Sequence, residues 1–408
     1  MLSLNARFSE LSALLLQTEA YWRPVAFHQP QLPWMAKHSQ LVQKLLALSE
    51  QQVEHLASDH LALTDYLGQD IQAAKPLLQL SQLDSFTHKS LPAVNPRFYA
   101  GMPGRKWQQV NAFAACIEPD DLPLLEWCAG KSYLGFYLNH LQGNKVAALE
   151  WNKDLVEQAN QRALRSHCDL CSYQVDVLSP QAEAYLVAKQ QVVALHACGE
   201  LHEQLLKLSV RKKVRQLYLA PCCYHKRSES LYQPLSQQAA RYSLALNKSE
   251  LHTAVMETVT AGATVQRQRK QLQIMRLAFD CLQRDLTNST QFLDLPSLPA
   301  HWARASLRDF CLHCAELKQL SIPATIDWQH YWQRAEQRFK QVSAMDLVRF
   351  LFRRPLEVWL ALDRALLLQE QGYQVELATF CPSHVTPRNI LIKAQLQNAS
   401  TCPGLKTI

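Results

Sequence analysis

The sequence predicts an α/β protein: a doubly wound parallel sheet closed by an antiparallel hairpin, with a helical region before it and a helical insertion within it. Three observations carry this. Five short apolar runs alternate with helical patterns between about 121 and 226, helical periodicity flanks that stretch on both sides, and two alternating runs lie near the end. The expected division is 1–118 as a helical N-terminal region, 119–226 with 372–397 as the sheet domain, and 227–371 as the insertion.

In residues 1–118, ARFSELSALLLQ, HSQLVQKLLALSEQQVEHLA and DYLGQDIQAAKPLLQL repeat apolar positions every three or four residues, so each is expected to be helical, with Ser49 or Ser58 as caps. The proline-rich WRPVAFHQPQLPWM is expected to be a loop. The runs LPLLEW, KVAALEW, SYQVDV, QVVALHA and RQLYLAP are apolar toward both faces, as buried parallel strands require. LYQPLSQQAARYSLALNK, WQHYWQRAEQRFKQVS and MDLVRFLFRRPLEVWLALDRALLLQEQ are expected helices, in a stretch too long for a crossover. YQVELATF and RNILIKAQ, joined by CPSHVTP, are expected to return to the sheet edge as a hairpin. The final NASTCPGLKTI is expected to fray.

Composition excludes several classes. With 408 residues, 48% hydrophobic and 19% charged, the chain has the balance of a folded protein rather than a disordered one. No run approaches the ~20 apolar residues of a membrane span, and the N-terminus lacks an export pattern. The twelve scattered cysteines fit reduced thiols. These features lead to the expectation of a cytoplasmic protein without a membrane partner. The net charge of +7 favours polyanionic partners only weakly. Glycine is scarce, ten in all, and Gly130, Gly135, Gly143 and Gly199 cluster in the sheet region, which draws attention to that stretch.

The first strand leads into Glu126-Trp127-Cys128-Ala129-Gly130-Lys131-Ser132-Tyr133-Leu134-Gly135. At a strand's carboxyl end, small residues admit a ligand to the backbone and the next helix offers free N–H groups. Twenty residues past Gly130, Glu150 and Trp151 end the second strand, where a carboxylate accepts hydrogen bonds from ribose hydroxyls. Asp176 and Val177, read as the end of the third strand, suit an adenine edge and face. Together they point to a bound adenosine moiety. The absence of G-x-G-x-x-G argues against a dinucleotide and leaves S-adenosyl-L-methionine as the expected cofactor.

The fourth and fifth strands end in HACGEL (His196, Cys198, Gly199) and PCCYHK (Cys222, Cys223, Tyr224, His225, Lys226). The set CAGK, HACGEL and PCCYHK, with VTPRNILI downstream, resembles the methyltransferase-domain family that includes methyltransferase-like protein 25 and the glutathione S-transferase C-terminal-domain-containing protein. The tRNA 2′-O-methyltransferases of the acceptor stem carry a similar HxCG and Cys-Cys-His-His set. The resemblance covers a little under a third of the chain. It implies a class I, Rossmann-like methyltransferase fold, S-adenosylmethionine as methyl donor and RNA as acceptor; no DNA partner is expected. The sequence departs from the family at Ser132, where glycine is commoner, and lacks the cysteine/histidine finger of the acceptor-stem enzymes.

Catalysis is expected from His196, Cys198, Cys222 and His225, since an acceptor loses a proton as the methyl moves. Cofactor contacts are expected from Glu126, Cys128, Ala129, Gly130, Lys131, Gly135, Glu150, Trp151, Asp176, Val177 and His196, and substrate contacts from Cys223, Tyr224, Lys226 and Arg388. For the cysteines three readings stay open: metal ligands, a nucleophilic thiolate, or small buried residues. Their spacing is not that of a finger, so no metal is expected. Cys311 and Cys314 share a helical stripe with Leu307 and Leu317, which reads as core. The basic runs Arg211-Lys212-Lys213-Val214-Arg215 and Arg353-Arg354 suit phosphate or a solvated face. A non-catalytic relative would have lost its acidic ribose partner, and Glu150 is present.

Overall fold

The structure is a computed structural model that describes residues 2–242, 244–256 and 262–397; the expected fraying of 398–408 lies outside them. Among the described residues seven strands form one sheet: β1 (Leu124–Trp127), β2 (Val146–Glu150), β3 (Leu170–Gln174), β4 (Gln191–Cys198), β5 (Gln216–Cys222), β6 (Tyr373–Thr379) and β7 (Ile390–Leu396). The spatial order is β3-β2-β1-β4-β5-β7-β6. The first five strands are parallel, and β7 runs antiparallel to both β5 and β6. The expected α/β class and terminal hairpin are therefore both present. One face of the sheet carries Val110, Phe113, Tyr137 and Tyr218, and the other carries Trp127, Leu149, Leu205 and Val214, all buried. Apolar cover on both faces is why these strands read as unbroken apolar runs. The chain reverses between β1 and β4, where the strand order places the ligand crevice of such sheets.

Contacts divide the described residues into two compact units: those within 2–13, 80–255 and 354–397, around the sheet, and those within 14–79 and 256–353, built of helices. These limits differ from those read off the sequence, because residues 2–13, 80–118, 227–255 and 354–371 go with the sheet. Helix Gly104–Ala114 buries Val110 and Phe113 in the sheet unit's core, and Phe8 stacks on Trp359 at 5.2 Å. In the helical unit, Ala263–Thr287 packs along Trp328–Phe350 around Met275, Phe279, Phe310, Cys311 and Cys314. No helix among the described residues is long and apolar enough to cross a membrane.

Several elements depart from expectation. HSQLVQKLLALSEQQVEHLA is cut into Ser39–Leu46 and Glu50–Ser58, because Ser49 and Gln52 form a reciprocal capping box. Ser58 lies inside the helix, and Asp59 caps the next one. DYLGQDIQAAKPLLQL is broken between Leu67 and Ala74. Among the described residues of 231–247 only Gln237–Ala240 is helical, and the next helix starts at Lys248. Here the buried Asp363 carboxylate accepts from Tyr232 Oη, Leu235 N, Ser236 N and Ser236 Oγ, holding the segment as a loop. The last long helical run breaks at Leu351–Phe352, and Pro355 then falls in the first turn of Arg353–Glu370, where no backbone donor is missed.

Candidate active site

Among the described residues, eight non-glycine residues have left-handed backbone. His167, Lys213, Asn288 and Gln319 lie at or just past helix carboxyl ends, where that conformation is ordinary. The other four, Cys128, Ser132, His196 and Cys223, all lie at carboxyl ends of strands or in the loops that follow. Backbone strain of this kind costs about 1–3 kcal/mol per residue and gathers where side chains must be aimed.

After β1 the chain turns through Cys128 and Gly130, which has φ +57° and open space where a β-carbon would project. Ser132, the departure from the family pattern, is accommodated because its hydroxyl donates to the buried Glu126 carboxylate, which also accepts from Gly135 N at 2.9 Å. Burial pushes the Glu126 carboxyl up to about 7 against those two bonds. Gly135, expected as a cofactor contact, instead serves helix packing: a β-carbon there would lie 2.6 Å from Glu126 Oε2.

The Glu150 carboxylate joins the ends of β1 and β2. Its Oε2 accepts from Gly130 N at 2.9 Å and its Oε1 from Asn152 N at 3.0 Å. Each oxygen retains a lone pair for a hydroxyl donor. The Trp151 indole is 74% exposed, free for a flat ring. β3 ends at Gln174, not at Asp176-Val177, because its pairing with β2 stops at Glu150. Asp176 is an exposed loop residue whose Oδ1 accepts from Leu178 N, while Val177 is buried.

A cavity of about 300 Å³ is lined by Lys106, Glu126, Cys128, Ala129, Gly130, Lys131, Tyr133, Leu134, Leu195 and His196. Lys106 was not singled out from sequence, since it lies on helix Gly104–Ala114, assigned to the N-terminal region. Burial pulls its ammonium down from the usual lysine range, against the carboxylate of Glu126.

His196 is the extra residue of a bulge in β4, with φ +67°. Its Nε2 lies 3.0 Å from Gln109 Oε1, which can only accept, so Nε2 carries the hydrogen and Nδ1 the lone pair. Burial first, then the positive charges of Lys106 and Arg388, lower its pKa to about 4, which keeps the ring neutral at pH 7.

Past the bulge, Cys198 registers with Cys222 across β4 and β5, their sulfurs 3.4 Å apart. Cys223 completes a trio whose sulfurs all lie within 4.8 Å of one another. The sequence left metal ligation as one of three readings of these cysteines, and the structure brings their sulfurs together. The Cys223 thiol is held well below its ordinary range, chiefly by hydrogen bonds from Cys198 and Cys222. Gly199, at φ +53°, lets the HACGEL and PCCYHK loops close: the Lys226 carbonyl accepts from Glu200 N at 3.1 Å.

Tyr224, expected to touch substrate, is fully buried, with the Arg364 guanidinium 4.8 Å from its ring centre. Arg364 itself bonds His202 Nε2, Glu203 and Tyr232 Oη, a buried polar network beneath the site that sequence reading missed. His225 is half-buried against His252 and Lys226 is exposed. The Arg388 guanidinium donates to the Val255 carbonyl, and its charge reaches His196 and His225.

Four other cysteines and the basic runs stand apart from the site. Cys311 and Cys314 are core, Cys168 donates to Asn139 Oδ1, and Cys171 is exposed. Arg211 and Lys212 pair with Glu183, and Arg354 with Glu357.

Residues 105–230 match the model of a methyltransferase-domain family. This stretch is an S-adenosylmethionine-dependent methyltransferase domain. Solved structures similar to the chain include precorrin-6y C5,15-methyltransferase from Geobacter metallireducens GS-15, 14% identical over 31% of this chain and 68% of that one, with a TM-score of 0.24. A putative RNA methyltransferase from Pyrococcus horikoshii is 14% identical over 36% of this chain and 71% of that one, with a TM-score of 0.24. Coclaurine N-methyltransferase bound to N-methylheliamine and SAH is 13% identical over 52% of this chain and 63% of that one, with a TM-score of 0.23.

S-adenosylmethionine is the cofactor of the domain, and the residues present fit it. Glu150 offers acceptors for a ribose diol, Trp151 a face for the adenine, and Gly130 a backbone that nothing crowds.

Proposed function

We propose that this methyltransferase acts on RNA in the cytoplasm, tRNA and rRNA being the acceptor classes to test first. The observation that carries the reading is the basic and aromatic character of the elements around the cavity. Lys106 and Lys131 line it, Tyr99 stacks on the neighbouring Trp107 at 4.6 Å, and Arg162 lies 4.2 Å from the Tyr133 ring centre. Exposed Arg97 and Lys226 add charge. Cations with interleaved aromatic rings suit a backbone of phosphates with splayed bases. The likeness of HACGEL and PCCYHK to the HxCG and Cys-Cys-His-His set of the acceptor-stem enzymes supports the same reading.

The cofactor, when bound, supplies an activated methyl group. Glu150, Trp151 and the Gly130 turn hold it; Asp176 adds an exposed carboxylate at the same strand ends. Neutral His196 takes the acceptor's proton, and Gln109 fixes which ring nitrogen is free to do so. The chain's main contribution to rate is alignment, because methyl transfer is a displacement between collinear groups.

The test is the salt dependence of affinity for bulk tRNA and rRNA. Each neutralised phosphate adds roughly 0.7 to 0.9 to the log–log slope, and Lys226→Ala flattens it by about one phosphate's share. His196→Ala keeps RNA binding and removes methyl incorporation. A flat salt response moves the acceptor to a protein or small molecule.

A further inference from the structure

We propose that Cys198, Cys222 and Cys223 hold one zinc ion through their three sulfurs, leaving one coordination position for a donor from outside the chain. The geometry is that of a set converging on a point. Zinc–sulfur bonds of about 2.3 Å in a tetrahedron place sulfurs about 3.8 Å apart. Here Cys198 and Cys222 stand 3.4 Å apart, and all three sulfurs lie within 4.8 Å of one another.

The local backbone explains the convergence. The bulge at His196 brings Cys198 into register with Cys222. Consecutive residues in a strand point to opposite faces, so Cys222 and Cys223 could not share a ligand in regular β structure. The left-handed turn at Cys223, φ +48°, removes that obstacle. Hydrogen bonds then tie the surrounding backbone: Gly199 N donates to Cys222 O at 2.9 Å, and Lys226 N to Cys223 O at 2.8 Å. Two strand ends and a closed loop thus hold the sulfurs, with little left to order on binding.

The donor chemistry selects the ion. Three thiolates favour a soft or borderline cation and disfavour magnesium or calcium. The neighbouring cation Lys226 offsets the excess negative charge of three thiolates around a divalent ion. Among the described residues no fourth cysteine, histidine or carboxylate oxygen joins the group, so the site is of the open kind with three protein ligands. Cys198 and Cys223 are only half-buried, which gives an ion a way in. The proposal does not depend on the acceptor being RNA.

Cobalt(II) is the probe, added to full-length protein purified under reducing conditions without chelator, alongside elemental analysis for zinc. The expected result is about one zinc per chain as purified. After its removal, cobalt should give thiolate charge-transfer absorption and the visible bands of a four-coordinate ion. Cys198→Ser and Cys223→Ser each weaken cobalt binding at least tenfold, while Cys171→Ser, at an exposed thiol elsewhere, leaves it unchanged. Reduced parent protein that gives no such bands in cobalt excess overturns the proposal, as does binding that survives both substitutions. Calorimetry with S-adenosylmethionine on the same samples keeps a failure of metal binding distinct from a failure of cofactor binding.

Discussion

The carbonyl oxygen of Lys226 stands 1.8 Å from the position a β-carbon on Gly199 would take. The two loops that carry most of the candidate chemistry are therefore joined backbone to backbone, and the contact tolerates no side chain.

Gly199→Ala should destabilise the fold by about 3 kcal/mol or more, since it adds a clash with main chain to left-handed strain. Gly143→Ala supplies the comparison: its φ is +74°, but nothing lies within 4 Å of the added carbon, so strain alone applies, about 1 kcal/mol. Urea unfolding of the two variants measures the difference. Equal losses would show that the Lys226 carbonyl moves aside without cost.

Glu150→Ala should weaken S-adenosylmethionine at least about tenfold, or ~1.4 kcal/mol, because a charge-assisted pair of acceptors is lost and Gly130 N loses its partner. Calorimetry decides it, and undiminished affinity removes Glu150 from the cofactor site.

Glu126 makes the cofactor-free protein less stable as pH rises. Its folded pKa, about 7, lies above the ordinary 4.5, so the folded state resists ionisation that the unfolded chain accepts. The stabilising contribution is complete below about pH 4.5, declines up to about 7, and changes no further above that. The total is on the order of 3 kcal/mol. Denaturation midpoints across this range should fall in the parent and stay flatter in Glu126→Gln.

Asp363→Ala strands four donors of the 232–236 segment and should cost about 3–5 kcal/mol, the range for breaking a buried charged network. Hydrogen exchange at the Leu235 and Ser236 amides should accelerate more than at the β4 and β5 amides. Uniform acceleration would mean that the carboxylate stabilises the whole unit and does not specifically pin the loop.

The strands were legible because burial on both faces leaves a mark in sequence that needs no partner to interpret. Glu150 and Gly130 were legible for a similar reason: their spacing spans one βα unit, and the carboxylate does reach the glycine's N–H. What escaped depends on contacts distant in sequence. Lys106 and Gln109 sit on a helix whose periodicity gives no hint that it borders the crevice. Tyr224 reads as an exposed tip until Arg364, over a hundred residues later, is placed against its ring. The apolar periodicity of 231–248 is real, yet four bonds to Asp363 outweigh it. The convergence of the cysteine trio was one of three readings in the sequence and no more, because ligand spacing rules assume regular local geometry, and here a bulge and a left-handed turn change which residues meet.

The helical unit is threaded from two stretches of chain, and this sets an order of events during synthesis. Helices Ser39–Leu46 and Glu50–Ser58 pack on Trp328–Phe350, which leaves the ribosome only after the whole of 80–255. At about 5–20 residues per second the early helices wait roughly 15 to 60 seconds for their partner. Through that interval Leu41, Leu45 and Leu56, buried in the finished protein, have no final cover. The nascent chain is thus a client for chaperones until its last third emerges, and a chain stopped short of residue 328 should be captured by them or aggregate.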